Sequence, residues 1–184
     1  MPDRSKKTIT LVLGGARSGK SHYVQKLAAA FASVAFVATA RPIDEEMQRK
    51  IEHHRADRPP EWRTIEEPLN LDRVLQEEGA KYPIMVVDCL TLYAANLLEA
   101  EQQNLIGIEE RLRRFFAELR SAPCSIALVS NEVGSGVVPV FPLGRQYRDL
   151  LGELNQRVAS IADNVLLMVA GLPLALKGAI EVRS

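Results

Sequence analysis

The stretch Gly14-Gly15-Ala16-Arg17-Ser18-Gly19-Lys20-Ser21 decides the fold of this chain. It matches the phosphate-binding P-loop pattern G-x-x-x-x-G-K-S at every fixed position. The apolar, β-branched residues 8–13 predict a buried parallel strand before it, and the helical spacing of apolar residues over 21–31 predicts a helix after it. A chance glycine turn is the alternative, and it is disfavoured because every fixed position is filled in the required strand–loop–helix setting.

The residue types of this loop suit the phosphates of a nucleotide. Glycines let backbone N–H groups converge on phosphate oxygens, and the start of the helix adds the positive end of its dipole. Lys20 is predicted to reach the outer phosphates, and the Ser21 hydroxyl is predicted to bind Mg²⁺. We therefore expect all residues from Gly14 to Ser21 to contribute to a nucleotide site.

Composition restricts the class of protein. A length of 184 residues favours one α/β domain over 1–184. Lys plus Arg and Asp plus Glu both count 23, so there is no basic field to bind nucleic acid or an anionic membrane surface. No apolar run approaches the length of a membrane span. Cys89 and Cys124 lie in or beside apolar stretches, which predicts buried free thiols and a cytoplasmic protein.

Strand-like and helical patterns alternate along the rest of the chain. Strands are predicted over 34–39, 83–88, 125–130 and 165–170, and helices over 43–55, 69–78, 90–102, 108–120 and 144–163. Asp44 is a candidate cap for the first of these helices. The alternation predicts an α/β fold with a mostly parallel sheet flanked by helices, and the C-terminus could add a short hairpin or an edge strand.

Asp88 ends a strand that is apolar up to that point. An acid at this place fits the Walker-B position, where it holds Mg²⁺ directly or through water. Ligands also bind at the carboxyl ends of strands in open α/β sheets. The alternative is that Asp88 caps the helix that follows, and the P-loop elsewhere in the chain favours the metal role.

An adjacent histidine pair, His53-His54, is followed by Arg55 and Arg58. Histidines near a helix C-terminus are usually solvated partners of the helix dipole. Neighbouring helical residues point about 100° apart, which disfavours a zinc pair. The more specific interpretation makes one histidine a nucleophile toward a nucleotide phosphate, with the arginines holding phosphate oxygens. Spacing alone favours the structural interpretation.

Other polar residues near strand ends are individually weak candidates. The segment Asn131-Glu-Val-Gly134 is equally compatible with a substrate loop and with a structural turn. Glu66 and Thr39 stand near the expected ends of strands or in loops.

Several segments together resemble the family of bifunctional adenosylcobinamide kinases / adenosylcobinamide-phosphate guanylyltransferases of cobalamin synthesis. Beside the generic P-loop, the specific ones are Ile51-Glu-His-His-Arg-Ala-Asp-Arg-Pro59 and Ser130-Asn-Glu-Val-Gly134. Asp88-Cys-Leu-Thr91 and Tyr147-Arg-Asp149 also match. The resemblance spans nearly the whole chain in the expected order.

The resemblance implies a RecA-like P-loop domain that assembles as a homotrimer. It implies phosphorylation of the corrinoid adenosylcobinamide by GTP or ATP. Transfer of GMP from GTP onto that phosphate would follow, giving pyrophosphate and adenosylcobinamide-GDP. His54 matches the histidine that carries GMP covalently in the family, and Lys20 is the other catalytic candidate.

The same match implies further residues of the nucleotide site, namely Val37, Ala38, Thr39, Arg55, Ala56, Asp57, Arg58, Glu66 and Asp88. Asp88 stands where some relatives carry the longer Glu. After Pro139 the sequence departs from the family, because Val-Phe-Pro-Leu-Gly144 is more apolar than the usual pattern.

Two alternative functions remain open at this point. One is a P-loop kinase for another small metabolite, in which the histidines are structural. The other is a RecA-like ATPase module of a motor or regulatory assembly, which the small size and the lack of a basic stripe disfavour.

Overall fold

The computed structural model describes residues 7–56 and 58–178, except for the side chains of Lys50 and His54. Its strands are β1 (Ile9–Gly14), β2 (Val34–Ala38), β3 (Arg63–Glu66), β4 (Ile84–Asp88), β5 (Ser125–Asn131), β6 (Asn164–Val169) and β7 (Leu172–Lys177). Its helices are α1 (Lys20–Ala28), α2 (Glu45–Ala56), α3 (Leu71–Glu78), α4 (Leu90–Ala100), α5 (Leu105–Ser121) and α6 (Pro142–Ile161), and a short 3₁₀ turn covers Gly79–Lys81.

The strands form one sheet in the order β3-β2-β4-β5-β1-β6-β7. All neighbouring strands from β3 to β6 pair in parallel, and β7 alone pairs antiparallel, with β6. The mostly parallel α/β sheet is therefore confirmed. The inner strands are nearly continuous apolar runs because helices and loops cover both faces, and all residues of β2 are buried.

Two apolar cores lie on opposite faces of the sheet. On one face α3, α4, α5 and α6 pack around large side chains that include Tyr93, Phe115 and Phe116. On the other face α1 packs with Phe36 and Trp62. None of the described side chains of α2 belongs to either buried cluster. Helix α2 is therefore attached to the outside of the core.

The structure corrects several predicted boundaries. Helix α5 begins at Leu105 rather than 108, because the Asn104 side chain accepts a hydrogen bond from the Ile106 N–H at 3.2 Å and caps it there. Helix α6 begins at Pro142 rather than 144, since proline is well suited to a first helical turn. Strand β3 was not predicted, because its four residues are polar or half-exposed at the sheet edge.

Other local expectations are confirmed. The Asp44 carboxylate accepts a hydrogen bond from the Met47 N–H at 2.7 Å and so caps α2. The C-terminal edge strand is present as β7, and Cys89 and Cys124 are free thiols. Among the described helices, none has both the length and the apolar character that crossing a membrane would need.

Gly14 ends β1 where a side chain does not fit. A Cβ atom at this position would lie 2.6 Å from both the Met168 carbonyl oxygen and the Ser18 Oγ, and the residue has φ +153°. By contrast, a Cβ on Gly15 would have no neighbour within 4 Å among the described residues. The P-loop backbone therefore packs directly against β6 at Gly14 but stands clear of the protein at Gly15.

We predict that Gly14→Ala lowers the free energy of unfolding by about 1–3 kcal/mol, because the new methyl group must displace backbone atoms. Gly15→Ala is the matched control and should change it by less than about 0.5 kcal/mol. Urea unfolding followed by circular dichroism measures both. Equal effects of the two substitutions would contradict the close packing at Gly14.

Candidate nucleotide-binding site

Lys20 is held inside the P-loop. Its side chain is buried, and its Nζ donates hydrogen bonds to the Gly15 carbonyl oxygen at 2.6 Å and to the Ser18 Oγ at 3.4 Å. Burial lowers the pKa of the Lys20 ammonium, while the nearby Cys89 and Asp88 oppose that shift. The ammonium therefore lies within electrostatic reach of the carboxylate at the end of β4.

The start of α1 is free to bind an anion. Gly19 precedes the helix with φ +96°, and within the described residues no side chain caps this end. The first N–H groups of a helix lack intrahelical partners, so they can donate to phosphate oxygens. The loop residues Gly15, Ala16 and Arg17 are exposed, and Ser21, in the first turn of α1, is half-buried.

Asp88 lies at the end of β4, paired with Ala38 of β2 on one side and Val129 of β5 on the other. The N-cap residue of α4 is Cys89, and it makes no side-chain capping bond. The structure therefore places Cys89, and not Asp88, at the N-cap position of α4. Burial and the Asp88 charge raise the pKa of the Cys89 thiol to about 11, which keeps it protonated at neutral pH.

Thr39 ties the ends of β2 and β4 together. Its hydroxyl donates to the Cys89 carbonyl oxygen at 2.7 Å and accepts from the Cys89 N–H at 2.8 Å. Its own N–H donates to the Asp88 carbonyl oxygen at 3.1 Å, and its carbonyl accepts from the Asn96 amide at 2.8 Å. Thr39 is fully buried, and its hydroxyl, N–H and carbonyl groups all make hydrogen bonds. It therefore fixes the position of the backbone at Asp88.

Arg58 lies over an aromatic pair. Its guanidinium carbon is 3.7 Å from the Phe36 ring centroid, and Phe36 in turn stacks on Trp62 with centroids 6.5 Å apart. Cation–π contact of this kind holds the guanidinium in place. One of its nitrogens, Nη1, lies 3.5 Å from the Thr64 Oγ1, whereas its Nε is buried without a hydrogen-bond partner among the described residues.

The charges around Arg58 form a cluster of both signs. Burial lowers the pKa of the Arg58 guanidinium, and the positive charge of Arg55 adds to that effect. Asp88 and Glu66 oppose it. The structure therefore brings Arg55, Glu66 and Asp88 within electrostatic reach of Arg58.

The histidine pair lies at the end of α2. His53 is exposed, and the backbone of His54 belongs to the last turn of the helix with Arg55 and Ala56. The His54 side chain and Asp57 are outside the described residues. Val37 and Ala38 are buried in β2, where their side chains belong to the two cores.

The loop after β5 begins with a capped turn at the edge of the site. The Glu132 carboxylate accepts hydrogen bonds from the N–H groups of Gly134 at 2.7 Å and Ser135 at 3.2 Å. Burial opposes ionisation of this carboxyl, but these bonds outweigh it and lower its pKa. The Asn131 N–H donates to the Thr91 Oγ1 at 2.8 Å. The sequence is compatible with a structural turn and with a substrate loop, and the observed capped turn is compatible with both.

The residues present fit Mg²⁺ better than a transition metal. In the part of the chain that the structure describes, no three His, Cys, Asp or Glu side chains converge on one point. Mg²⁺ needs no such cage, because it is usually held by one or two carboxylates together with substrate phosphates and water. Ser21 and Asp88 supply a hydroxyl and a carboxylate of the required type.

The sequence matches one family of known proteins. Residues 10–176 match the family described as cobinamide kinase / cobinamide phosphate guanyltransferase. A relative from Pseudomonas aeruginosa, named bifunctional adenosylcobalamin biosynthesis protein CobP, is 48% identical over 91% of this chain and 96% of its own length. Proteins named bifunctional adenosylcobalamin biosynthesis protein CobU, from Escherichia coli and Salmonella typhimurium, are 34% and 36% identical over 91% of this chain and 98% of theirs.

Solved structures of P-loop ATPases share the fold. An ATPase of a bacterial type III secretion system aligns with a TM-score of 0.53 and 13% identity, over 91% of this chain and 56% of its own. The secretion ATPase EscN aligns with a TM-score of 0.56, over 88% of this chain and 42% of its own. This chain therefore corresponds to about half of those larger proteins or less, and the likeness concerns the fold alone.

We predict that Thr39→Val lowers the free energy of unfolding by about 1–3 kcal/mol, because the Cys89 N–H and carbonyl lose their partner. Thr39→Ser keeps the hydroxyl and should cost less, about 0.5–1 kcal/mol for the missing methyl group. Urea unfolding of both variants measures the difference. If valine is tolerated as well as serine, the hydroxyl does not tie the two strands.

Proposed function

The chain belongs to the cobinamide kinase / cobinamide phosphate guanyltransferase family, and from this premise we propose how its residues carry out both reactions. In the first reaction a hydroxyl oxygen of adenosylcobinamide attacks the γ-phosphorus of GTP or ATP. The bond from that phosphorus to the β–γ bridging oxygen breaks, the nucleoside diphosphate leaves, and the hydroxyl proton is released. The products are adenosylcobinamide phosphate and a nucleoside diphosphate.

In the second reaction His54 attacks the α-phosphorus of GTP. A P–N bond forms, the bond to the α–β bridging oxygen breaks, and pyrophosphate leaves. A phosphate oxygen of adenosylcobinamide phosphate then attacks the same phosphorus and breaks the P–N bond. This step gives adenosylcobinamide-GDP and restores the histidine.

The observation that carries this proposal is the grouping of positive charges around Asp88 at the end of β4. Lys20 and Asp88 interact electrostatically, and so do Asp88 and Arg58. Lys20 would hold the outer phosphates and the departing pyrophosphate, as positioned cations do in phosphoryl transfer. The Arg58 Nε, which has no hydrogen-bond partner in the part of the chain that the structure describes, would donate to an oxygen of the α-phosphate.

His54 needs a neutral imidazole to act as a nucleophile. The end of a helix favours the protonated form. Positive charges on Arg55 and Arg58 would oppose protonation of an imidazole beside them, and they would also offset the charge on the α-phosphate. The arginines would therefore serve the nucleophile as well as the substrate.

The other nucleotide contacts that the family resemblance implies complete the proposal. Backbone groups of Gly14 to Ser21 would bind the phosphates, and Val37, Ala38, Ala56, Asp57 and Glu66 would line the rest of the nucleotide. Thr39 would act by fixing the backbone that carries Asp88, rather than by contacting the nucleotide. Ser21 and Asp88 would hold Mg²⁺, which supplies positive charge beside the phosphates when it is bound.

We also propose a cytoplasmic homotrimer. The free thiols of Cys89 and Cys124 suit a reducing compartment. The edge strand β7 exposes Leu172, Leu174 and Leu176 by more than half each, which suits burial against another subunit.

We predict that Asp88→Asn raises the Mg²⁺ concentration needed for half-maximal nucleotide binding and lowers both reaction rates. The amide keeps the shape of the side chain but removes a negative ligand from the metal. Titration of Mg²⁺ against binding of a fluorescent GTP analogue measures this without turnover. Asp149→Asn, which changes an exposed carboxylate on α6, is the control. An unchanged Mg²⁺ requirement would remove Asp88 from the metal site.

We predict that the wild-type protein, incubated with GTP alone, gains the mass of one guanylyl group (GMP less one water) and exchanges pyrophosphate into GTP. His54→Ala should lose both properties, because the P–N bond cannot form. His53→Ala should retain both at a reduced level. Intact-protein mass spectrometry checks the label, which should survive alkali and be released by acid.

Each opposite outcome has a distinct meaning. A labelled His54→Ala beside an unlabelled His53→Ala would move the nucleophile to His53, and labelling of both would exclude a covalent step on this pair. An unlabelled wild-type protein that phosphorylates another metabolite would favour the simple kinase. Nucleoside triphosphate turnover that needs no corrinoid would favour an ATPase module.

A further inference from the structure

The segment 132–141, here named the β5–α6 loop, leads from β5 into α6 with an unusual number of exposed apolar side chains. Val137, Val138, Val140 and Phe141 are 95%, 58%, 83% and 77% exposed, and Leu143 just beyond them is 51% exposed. The sequence from 133 to 144 contains no charged residue. Exposed apolar patches with this composition mark sites that bind a ligand or another protein.

Both ends of the β5–α6 loop are attached to the nucleotide site. At its start, the Glu132 N–H donates to the carbonyl oxygen of Gly14, the first P-loop residue, at 3.1 Å. Beyond its end, the Tyr147 hydroxyl donates to the Thr91 carbonyl oxygen at 3.3 Å. Thr91 lies three residues after Asp88. The loop therefore leaves from the P-loop and returns beside the strand that carries Asp88.

Polar contacts hold the β5–α6 loop in one shape. Beside the turn that Glu132 caps, the Arg145 guanidinium donates to the carbonyl oxygens of Pro139 at 3.0 Å and Val140 at 2.6 Å. A Cβ on Gly144 would lie 2.7 Å from the Pro139 side chain, so the start of α6 packs against the loop. The apolar side chains are thus displayed on a fixed backbone, and little entropy is lost when a ligand covers them.

We propose that the β5–α6 loop binds the corrin macrocycle of adenosylcobinamide, an inference that rests on the function proposed above. The acceptor oxygen of that substrate must reach the γ-phosphate, which the P-loop holds. Its macrocycle must therefore lie against a surface next to the P-loop. The macrocycle presents an apolar ring with a rim of neutral amides, and an apolar loop without charged residues matches that chemistry.

The size of the patch favours a small molecule over a second subunit. A stable subunit interface buries about 800 Å² on each partner, and five side chains on one short loop expose less than that. Strand β7 offers a separate apolar face for contact between copies. The β5–α6 loop is instead adjacent to the reacting phosphates, where the substrate has to bind.

The test is a double variant, Val140→Ser with Phe141→Ser. Both side chains are exposed, and Phe141 is the N-cap residue of α6, a position that serine favours, so the fold should be kept. Equilibrium dialysis of adenosylcobinamide should give a Kd raised by about tenfold or more, with a similar rise in its KM. Exchange of pyrophosphate into GTP without corrinoid and the molar mass by light scattering should match those of the wild-type protein.

Two control variants separate apolar contact from other effects. Phe141→Leu keeps an apolar side chain in the loop. Ile106→Ser removes from α5 an apolar side chain that is as exposed as Val140, at 83%. Both should bind adenosylcobinamide within about twofold of the wild-type protein.

The outcomes distinguish this inference from the proposed function. If the wild-type protein phosphorylates adenosylcobinamide and the double variant binds this substrate equally tightly, the assignment of the loop is overturned and the proposed function stands. A wild-type protein that neither binds nor phosphorylates adenosylcobinamide overturns the function as well. A lower molar mass in the double variant would identify the loop as a contact between copies, which also overturns the assignment.

Discussion

The parallel pairing of the central strands is the constraint on which the site depends. Because β1, β2, β4 and β5 all run in the same direction, their carboxyl ends meet at one edge of the sheet. Gly14 is thereby paired with Asn131, and Ala38 with Asp88. Residues far apart in the sequence are brought to one edge by backbone register. The chemistry of the site then follows from which side chain each strand carries at its last position.

The fold could be predicted from the sequence because its signals are local. The P-loop pattern identifies the first strand and helix, and continuous apolar runs identify the buried strands. Strand β3 was not predicted because an exposed edge strand lacks a continuous run of apolar residues. Helices α5 and α6 begin at positions that Asn104 and Pro142 determine. Both starts lie before the first residue of the apolar pattern from which the helices were predicted.

The sequence supplies the candidate residues of the site, whereas the contacts that position them are visible only in the structure. Lys20 and Asp88 follow from motif and position, and the family resemblance supplies Arg55, Arg58 and Glu66. The bonds from Thr39 to Cys89 could not be predicted, since they join residues 50 positions apart in the chain. The same holds for the contact of Arg58 with Phe36. Such contacts depend on the register of β2 with β4 and on the path of the chain between α2 and β3, which no local pattern records.

The stack of Arg58, Phe36 and Trp62 has a practical consequence. The chain contains one tryptophan, so all of its indole fluorescence arises from the ring that stacks on Phe36 beneath the Arg58 guanidinium. A charged group above an aromatic pair alters the electric field at the indole, and indole emission responds to that field. The protein therefore carries an optical reporter one ring away from its candidate phosphate-binding arginine, and spectroscopy on the unlabelled chain can follow events at this end of the sheet.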